Sequence, residues 1–210
     1  MSAGASELEQ RLPAGSFSYL VGKRAFDLCF AGLAIVLTSP LMLLIALAIK
    51  LTSKGPALFI QERVGLNGRT FRMYKFRTMR EADPALSNCL WTRPEDPRRT
   101  RLGCWLRAAS LDELPQFFNV LNGEMSVVGP RPERPYFVEQ FMQTVALYNT
   151  RHYLKVGITG WAQVNGWRGD TSIAKRVEHD LYYLRNWSFA FDLRIILLTI
   201  RHLFAPKNAY

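Results

Sequence analysis

Asp112 and Glu113 stand side by side in the run Ser110-Leu-Asp-Glu-Leu-Pro-Gln-Phe-Phe-Asn119. Adjacent acids at a helix start can be purely structural, since they complement the dipole and Ser-x-x-Glu is a capping-box pattern. Pro115 narrows that account. A residue without an N–H fits only the first turn, so the helix should begin near Asp112 rather than Ser110. The chemical reading places Asp112 where backbone N–H groups favour an anion, ionised and able to attack phosphorus. Glu113 would then hold a cation or manage protons.

Two acids approach a diphosphate only if positive charge offsets the repulsion. Between Arg63 and Arg80 lie six basic residues and no acid: Arg63, Arg69, Arg72, Lys75, Arg77 and Arg80. Phe71, Tyr74 and Phe76 are interleaved among them, a pattern that equally suits single-stranded nucleic acid. Gly129-Pro130-Arg131-Pro132 sets an arginine in a stiff turn, where a guanidinium loses little entropy on gripping a phosphate. A surface turn with an incidental arginine is the plainer account of it. Asp180 follows Arg176 by four residues on an expected helix, which predicts an i,i+4 salt bridge. His152 and His179 lack metal-ligand spacing and read as structural or surface residues. Neither a glycine-rich nucleotide loop nor a Gly-x-Ser-x-Gly elbow is present.

These groups need elements to hold them. The chain has 210 residues, enough for one domain with a sizeable core, and 49% of them are apolar against 21% charged, which excludes a disordered chain. Lysine and arginine number 27 against 17 acids, a net charge of +10 that points to anionic partners: nucleic acid, phosphorylated molecules or a membrane face. Three cysteines without CxxC spacing argue against a disulfide framework or structural zinc and for a reducing compartment.

From Leu28 to Ile49 the chain carries no charge. Such a run is long enough for a membrane segment, which needs about 20 apolar residues. It starts too far in, and is too long, for a cleaved signal peptide. Ser39-Pro40 sits at its middle, and Lys23, Arg24, Lys50 and Lys54 flank both ends. A break at Pro40 gives halves of roughly 18 and 15 Å, each crossing about half of a ~30 Å hydrocarbon core. Positive charge at both flanks favours both ends on the cytoplasmic side. A re-entrant hairpin and a proline-kinked spanning helix both fit.

Around this segment the chain divides into a tail over 1–22, a membrane segment over 23–50 and a basic, water-facing domain over 51–210. Residues 57–78 predict strand and turn, with Asn67-Gly68 as the hairpin signal. Residues 83–101 read as loop, and a helix is expected from about Asp112 to Leu121, ended by Asn122-Gly123. Further helices are expected over 136–148, along the stripe Ile173, Val177, Leu181 and Leu184, and from about Phe189 to Phe204. The last is strongly apolar, with Arg194 and Arg201 placed to meet lipid phosphates if it lies in the membrane interface. The fold class is α/β, helix-dominant.

Taken in order, these segments resemble the bacterial sugar transferase family, the monotopic phosphoglycosyl transferases. The matching stretches are the apolar segment with Ser39-Pro40, Tyr74-Lys-Phe-Arg-Thr-Met79 and SLDELPQFFNV over 110–120. GEMSVVGPRP over 123–132, GITGWAQVNG over 157–166 and Asp180-Leu-Tyr-Tyr183 complete them. The resemblance implies a membrane-embedded re-entrant helix hairpin broken at Ser39-Pro40, with a small cytosolic α/β catalytic domain and interfacial amphipathic helices. It implies the bacterial inner membrane, with that domain on the cytoplasmic face. Asp112 would be the nucleophile on the β-phosphate of a UDP-sugar, releasing UMP and leaving a phosphosugar–aspartate that undecaprenyl phosphate resolves. Glu113 matches the second acid of the dyad, and both acids are implied to hold Mg²⁺. Lys75, Arg77, Arg107, Arg131, Gln163, Arg168 and Asp180 are the implied substrate-binding positions.

The stretch GWAQVNGWRGDTS and the terminal Lys-Asn-Ala-Tyr are most similar to the undecaprenyl-phosphate glucose phosphotransferase branch. That favours UDP-glucose, with UDP-galactose second, and a role in starting exopolysaccharide, capsule or O-antigen assembly. Members of that branch often carry an N-terminal multi-span region, so the catalytic core alone is expected here. The resemblance implies membrane lipids as partners, leaves room for a homo-oligomer and gives no role to nucleic acid. Two positions depart from the family pattern: Val156 stands where proline usually precedes Gly-Ile-Thr-Gly, and Trp167 separates Asn165-Gly166 from Arg168. The alternative from another class is a membrane-tethered nucleic-acid-binding protein, argued from the net charge and the basic–aromatic stretch.

Overall fold

An uncharged run of leucine, isoleucine and alanine has no alternative to helix for its backbone groups once it leaves water. In the computed structural model, which describes residues 17–80 and 96–204, this run lies inside one helix, α1, Phe17–Thr52. Most of the expected tail and most of the expected 83–101 loop fall outside the described residues, and residues 17–22 of that tail are already helical. Val21–Thr52 is long and apolar enough to cross a membrane.

Pro40 sits within α1 rather than between two helices, so the expected break is not expressed as two separate elements. The local chemistry shows how the helix tolerates it. Proline cannot donate to the carbonyl four residues back, and Ser39 Oγ donates to that carbonyl, Val36 O, at 3.0 Å. Thr38 Oγ1 donates to Ala34 O at 2.7 Å in the same turn.

Helix α1 is buried over two stretches, through Lys23, Asp27 and Ala31 and again through Ile45 and Ile49, while Leu33, Val36, Leu37, Leu43 and Leu44 stay exposed. Charges near its start tie it to three separate elements of the domain. Lys23 Nζ donates to Asp192 at 2.6 Å, and Asp27 accepts from Ser126 Oγ at 2.9 Å and from the Val127 N–H at 3.0 Å. Arg24 donates to Val120 O at 2.6 Å and Leu121 O at 2.8 Å.

After α1, strands β1 (Leu58–Val64) and β2 (Thr70–Phe76) form an antiparallel hairpin with Ile60 opposite Tyr74. Its turn places Asn67 (φ 54°) and Gly68 (φ 74°) in the left-handed region, the geometry that Asn-Gly signals. A helix not anticipated from sequence follows, α2 (Arg101–Ala108), whose N-cap Thr100 side chain accepts from the Gly103 N–H at 2.9 Å. Gly103 permits its placement, because a Cβ there would collide with the Thr78 carbonyl.

Then come a 3₁₀ turn over Leu111–Glu113, helix α3 (Gln116–Leu121) and strand β3 (Ser126–Val128). Helix α4 (Pro135–Thr144) stops short of the expected end because Val145 is extended and Leu147 turns left-handed (φ 58°). Strand β4 (Gly157–Thr159) pairs in parallel with β3, and α5 (Trp161–Val164), α6 (Ile173–Arg185) and α7 (Phe189–Phe204) complete the domain. Val120, Met125, Val128, Val156, Leu184 and Ile195 meet in one core together with Ala31 of α1. The anchor helix is thus part of the domain's packing.

Candidate active site

Ser110 is left-handed (φ 56°), a conformation that costs a non-glycine residue about 1 kcal/mol. Its side chain caps nothing, so the capping-box account of Ser110 and Glu113 does not hold. What the reversal achieves is a sharp corner between α2 and the 3₁₀ turn. Leu111 and Leu114 on either side of the acids pack with Ile45 and Ile49 of α1, Phe76 and Leu106. The acidic pair is therefore seated on the anchor helix by its own flanking leucines.

The two acids have different surroundings. Oε1 of Glu113 accepts from Lys75 Nζ at 2.7 Å and from Arg131 Nη2 at 2.7 Å, and its Oε2 meets Arg131 Nη1 at 3.5 Å. Burial disfavours its charge, but the Arg131 guanidinium and Lys75 ammonium outweigh burial and hold the carboxyl well below the usual range. Asp112 is only 7% exposed, yet among the described residues no hydrogen bond reaches its carboxylate. Burial first, and the Glu113 charge with it, push the Asp112 carboxyl up, while Lys75, Arg107 and Arg131 pull it back. One acid is clamped and the other is left open within a ring of cations.

Each cation in that ring is delivered by a separate element. Lys75 comes from β2, which α3 grips through Asn119: its Oδ1 accepts from the Tyr74 N–H at 3.0 Å and its Nδ2 donates to Arg72 O at 2.7 Å. The Asn119 amide thus continues the strand edge as a neighbouring backbone would. Arg107, from α2, is half-buried, and burial lowers its pKa against the opposing pull of Asp112. Arg168 is exposed between Gly166 (φ 85°) and Gly169 (φ 68°), and the charges of Arg131, Glu113 and Asp112 all bear on it.

Arg131 is the most firmly held. Four consecutive carbonyls of its turn each accept a hydrogen bond: Pro130 from Gly157 N–H at 2.8 Å, Arg131 from Arg151 Nη2 at 2.9 Å, Pro132 from Arg63 Nη1 at 3.2 Å and Glu133 from Val64 N–H at 2.9 Å. Gly129 and Gly157 let the two glycine-punctuated segments touch backbone to backbone, since a Cβ on either would collide with the other segment. The turn is a built mount for a guanidinium.

Three expected substrate-binding residues serve elsewhere. Arg77 is buried and its guanidinium is spent on the end of α1, donating to Ser53 O and Ser53 Oγ at 2.9 Å each and to Lys54 O. The last carbonyls of a helix lack intrahelical donors, and Arg77 supplies them. Asp180 does not pair with Arg176. Both are buried in α6 and each finds a partner on another segment: Asp180 takes Arg151 at 2.7 Å, and Arg176 takes Glu133. Burial pushes the Asp180 carboxyl up while Arg151 opposes it, and Arg151 in turn carries the Arg131 carbonyl, so Asp180 positions the site from behind. Gln163 donates to Ile158 O at 3.0 Å, and its Oε1 is buried with no hydrogen-bond partner among the described residues.

Sequence reasoning missed Arg151 altogether and gave no positioning role to Asn119, Arg63 or the Lys23–Arg24–Asp27 set. Only the last carried a readable signal, an acid and two bases at the edge of an apolar run. His152 is buried, and burial together with Arg151 lowers its pKa to about 4, so it is a neutral structural residue; His179 is half-buried on α6, beside Trp167. Phe76 is buried and Phe71 packs against the main core, which removes the exposed aromatic platform that a single-stranded nucleic acid would need.

A family model described as bacterial sugar transferase matches residues 18–206. The chain is 48% identical over 194 residues to the UDP-glucose:undecaprenyl-phosphate glucose-1-phosphate transferase of Escherichia coli K12, covering 90% of this chain and 41% of that protein. It is 45% identical to the protein of the same name from Caulobacter vibrioides, over 90% of this chain and 72% of that protein. It is also 44% identical to the UDP-N-acetylgalactosamine-undecaprenyl-phosphate N-acetylgalactosaminephosphotransferase of Aeromonas hydrophila, over 93% of this chain and 46% of that protein. The chain thus spans about two-fifths of the length of the first of these relatives.

Proposed function

The chain belongs to the bacterial sugar transferase family, and from that footing we propose that it moves hexose 1-phosphate from a UDP-sugar to undecaprenyl phosphate, with release of UMP. The observation that carries the reading is the division of labour between the acids: Glu113 clamped by Lys75 and Arg131, and Asp112 open beside it. An Asp112 oxygen attacks the β-phosphorus of the UDP-sugar, and the bond from that phosphorus to the bridging oxygen breaks. UMP leaves with the electron pair. A phosphate oxygen of undecaprenyl phosphate then attacks the phosphosugar–aspartate, the P–O bond to Asp112 breaks, and undecaprenyl-diphospho-sugar departs. A covalent step of this kind lets one carboxylate serve a water-soluble donor and a membrane-bound acceptor in turn.

Lys75, Arg107, Arg131 and Arg168 offset the diphosphate charge without moving, because their segments are fixed before substrate arrives. The donor set also suits Mg²⁺, which uses one or two carboxylates and completes its shell with water and substrate phosphate. Asp112 and Oε2 of Glu113 are the oxygens that would hold it, because Oε1 of Glu113 is committed to two cations. When bound, Mg²⁺ neutralises charge on the transferring phosphoryl group.

The membrane topology follows the same reading. Helix α1 packs against the domain near both ends, through Ala31 on one side and Ile45 and Ile49 on the other. The stretch between is roughly 20 Å of helix, short of a ~30 Å hydrocarbon core. Both ends then lie on the face that carries the catalytic domain, which supports the re-entrant arrangement centred on Ser39-Pro40, and basic flanks favour the cytoplasmic face of the bacterial inner membrane. Helix α7 suits the interface, with Leu193, Leu197 and Ile200 exposed beside Arg194 and Arg201. UDP-glucose is the favoured donor and UDP-galactose the second. The Aeromonas relative's name shows that chains at this level of identity differ in sugar.

Mass spectrometry of the intact protein tests the covalent step. Incubation with UDP-glucose and Mg²⁺ without lipid acceptor should add one hexose phosphate, on Asp112 and not in Asp112→Asn. An unmodified protein that still turns over with acceptor would mean direct attack by the lipid phosphate.

A further inference from the structure

A groove of about 590 Å³ runs between the anchor helix and α3, outside the ring of charges. Ile35, Met42 and Ala46 of α1 form one wall, Pro115 and Phe118 of α3 the other, and Tyr74 of β2 closes it near the acids. No charged side chain among the described residues lines it. Of its polar groups, Ser39 Oγ is already spent on Val36 O. Such a surface offers a sugar or nucleotide almost nothing and suits branched hydrocarbon.

Position separates this groove from the leucine-covered outer face of α1, which any lipid chain can cover. Pro115 lies two residues from Glu113, and Tyr74 is next to Lys75, which Glu113 grips at 2.7 Å. One end therefore opens beside the phosphorus-handling groups and the other follows the anchor toward Ser39, the middle of the apolar segment. A lipid whose phosphate must reach Asp112 has to pass its first carbons along an apolar path between acid and membrane.

We propose that this groove binds the phosphate-proximal isoprene units of the acceptor's polyprenyl chain, and so selects a polyprenyl phosphate over the phospholipids around it. The proposal rests on the reading of Asp112 as the site of phosphosugar transfer. Selection comes from shape: a chain branched at every fourth carbon fills a wide groove that a straight acyl chain leaves partly empty.

The test uses the full chain in nanodiscs and a polyprenyl phosphate carrying a photoreactive diazirine on the isoprene unit nearest the phosphate. Adducts are expected on the groove-lining residues Ile35, Met42 and Ala46 of α1 and on Pro115, Phe118 and Asn122 along and beside α3, suppressed by undecaprenyl phosphate and not by phosphatidylglycerol. Adducts confined to the outer face at Leu33, Val36 and Leu44, or equal competition by phosphatidylglycerol, would overturn the proposal.

Ala46→Phe, which fills the groove, should raise KM for undecaprenyl phosphate by about tenfold or more. That rise should exceed any effect on exchange of labelled UMP into UDP-glucose, a half-reaction that needs no acceptor. An unchanged acceptor KM in a folded Ala46→Phe protein would also overturn the groove. Groove adducts in a protein that releases no UMP from UDP-glucose would leave the groove standing and count against the donor reading instead.

Discussion

Arg131 Nη2 lies 2.7 Å from Oε1 of Glu113, and Lys75 Nζ of β2 reaches the same oxygen at the same distance. This shared oxygen fixes Glu113 and leaves Asp112 without a hydrogen-bond partner among the described residues. Two neighbouring carboxylates thus have different surroundings, one held by two cations and one free of hydrogen bonds from the described residues, the division on which the proposed role of Asp112 rests.

Glu113→Gln removes the charge that both cations share. Lys75 and Arg131 would then face each other partly buried, and stability should fall by about 3 kcal/mol, read as a lower Tm in nanodiscs. The Glu113 carboxyl is depressed, so its share of stability is present above its ordinary 4.5 and is lost as pH falls below that. The wild type should show this acid loss, and Glu113→Gln should not.

The acid limb of kcat/KM should report Asp112. Its carboxyl is raised from 3.8, chiefly by burial, so activity should fall with decreasing pH at a higher pH than an ordinary aspartate would give. Taking away the Glu113 charge removes one of the causes, so in Glu113→Gln the limb should move to lower pH. A limb that stays put would show that another group limits the reaction.

Arg77→Met separates holding from binding. Removing donors from the Ser53 and Lys54 carbonyls breaks part-buried hydrogen bonds to a charged group and should cost about 1.5 kcal/mol of stability. KM for the UDP-sugar should stay unchanged. A selective rise in that KM, with Tm preserved, would return Arg77 to the substrate site.

Gly157→Ala tests the mount of Arg131. A Cβ at residue 157 would meet Gly129 N and the Thr159 carbonyl, neither of which can yield, and we expect a loss of about 3 kcal/mol. Thermal unfolding of the variant checks it, since a wild-type Tm would mean that the two segments can separate freely.

The sequence made some of this legible and hid the rest for identifiable reasons. The β1–β2 hairpin followed from Asn67-Gly68, and the bounds of α7 matched the apolar run, because both are local signals. The Asp112-Glu113 pair and its basic surroundings stood out in the sequence, and the structure gathers Lys75, Arg107 and Arg131 around the two acids. Which basic residue does what was not, because that depends on contacts between distant segments. Arg77 and Lys75 are two residues apart on one strand, yet one closes a helix end and the other holds Glu113. The Arg176–Asp180 pairing failed for the same reason: an i,i+4 rule describes exposed side chains, and these are buried among better partners. Helix α2 escaped notice because it is short and its apolar pair, Leu102 and Leu106, packs with Ile45, Ile49 and Phe76, contacts between segments far apart in the chain.

The central claim is transfer of a phosphosugar, and the leaving nucleotide tests it most directly. With UDP-glucose, Mg²⁺ and undecaprenyl phosphate in nanodiscs, the account predicts UMP release that depends on the lipid and is nearly abolished in folded Asp112→Asn. Release of UDP would mean transfer of the sugar alone and would contradict the role given to Asp112. Near-normal UMP release by Asp112→Asn would contradict it as well.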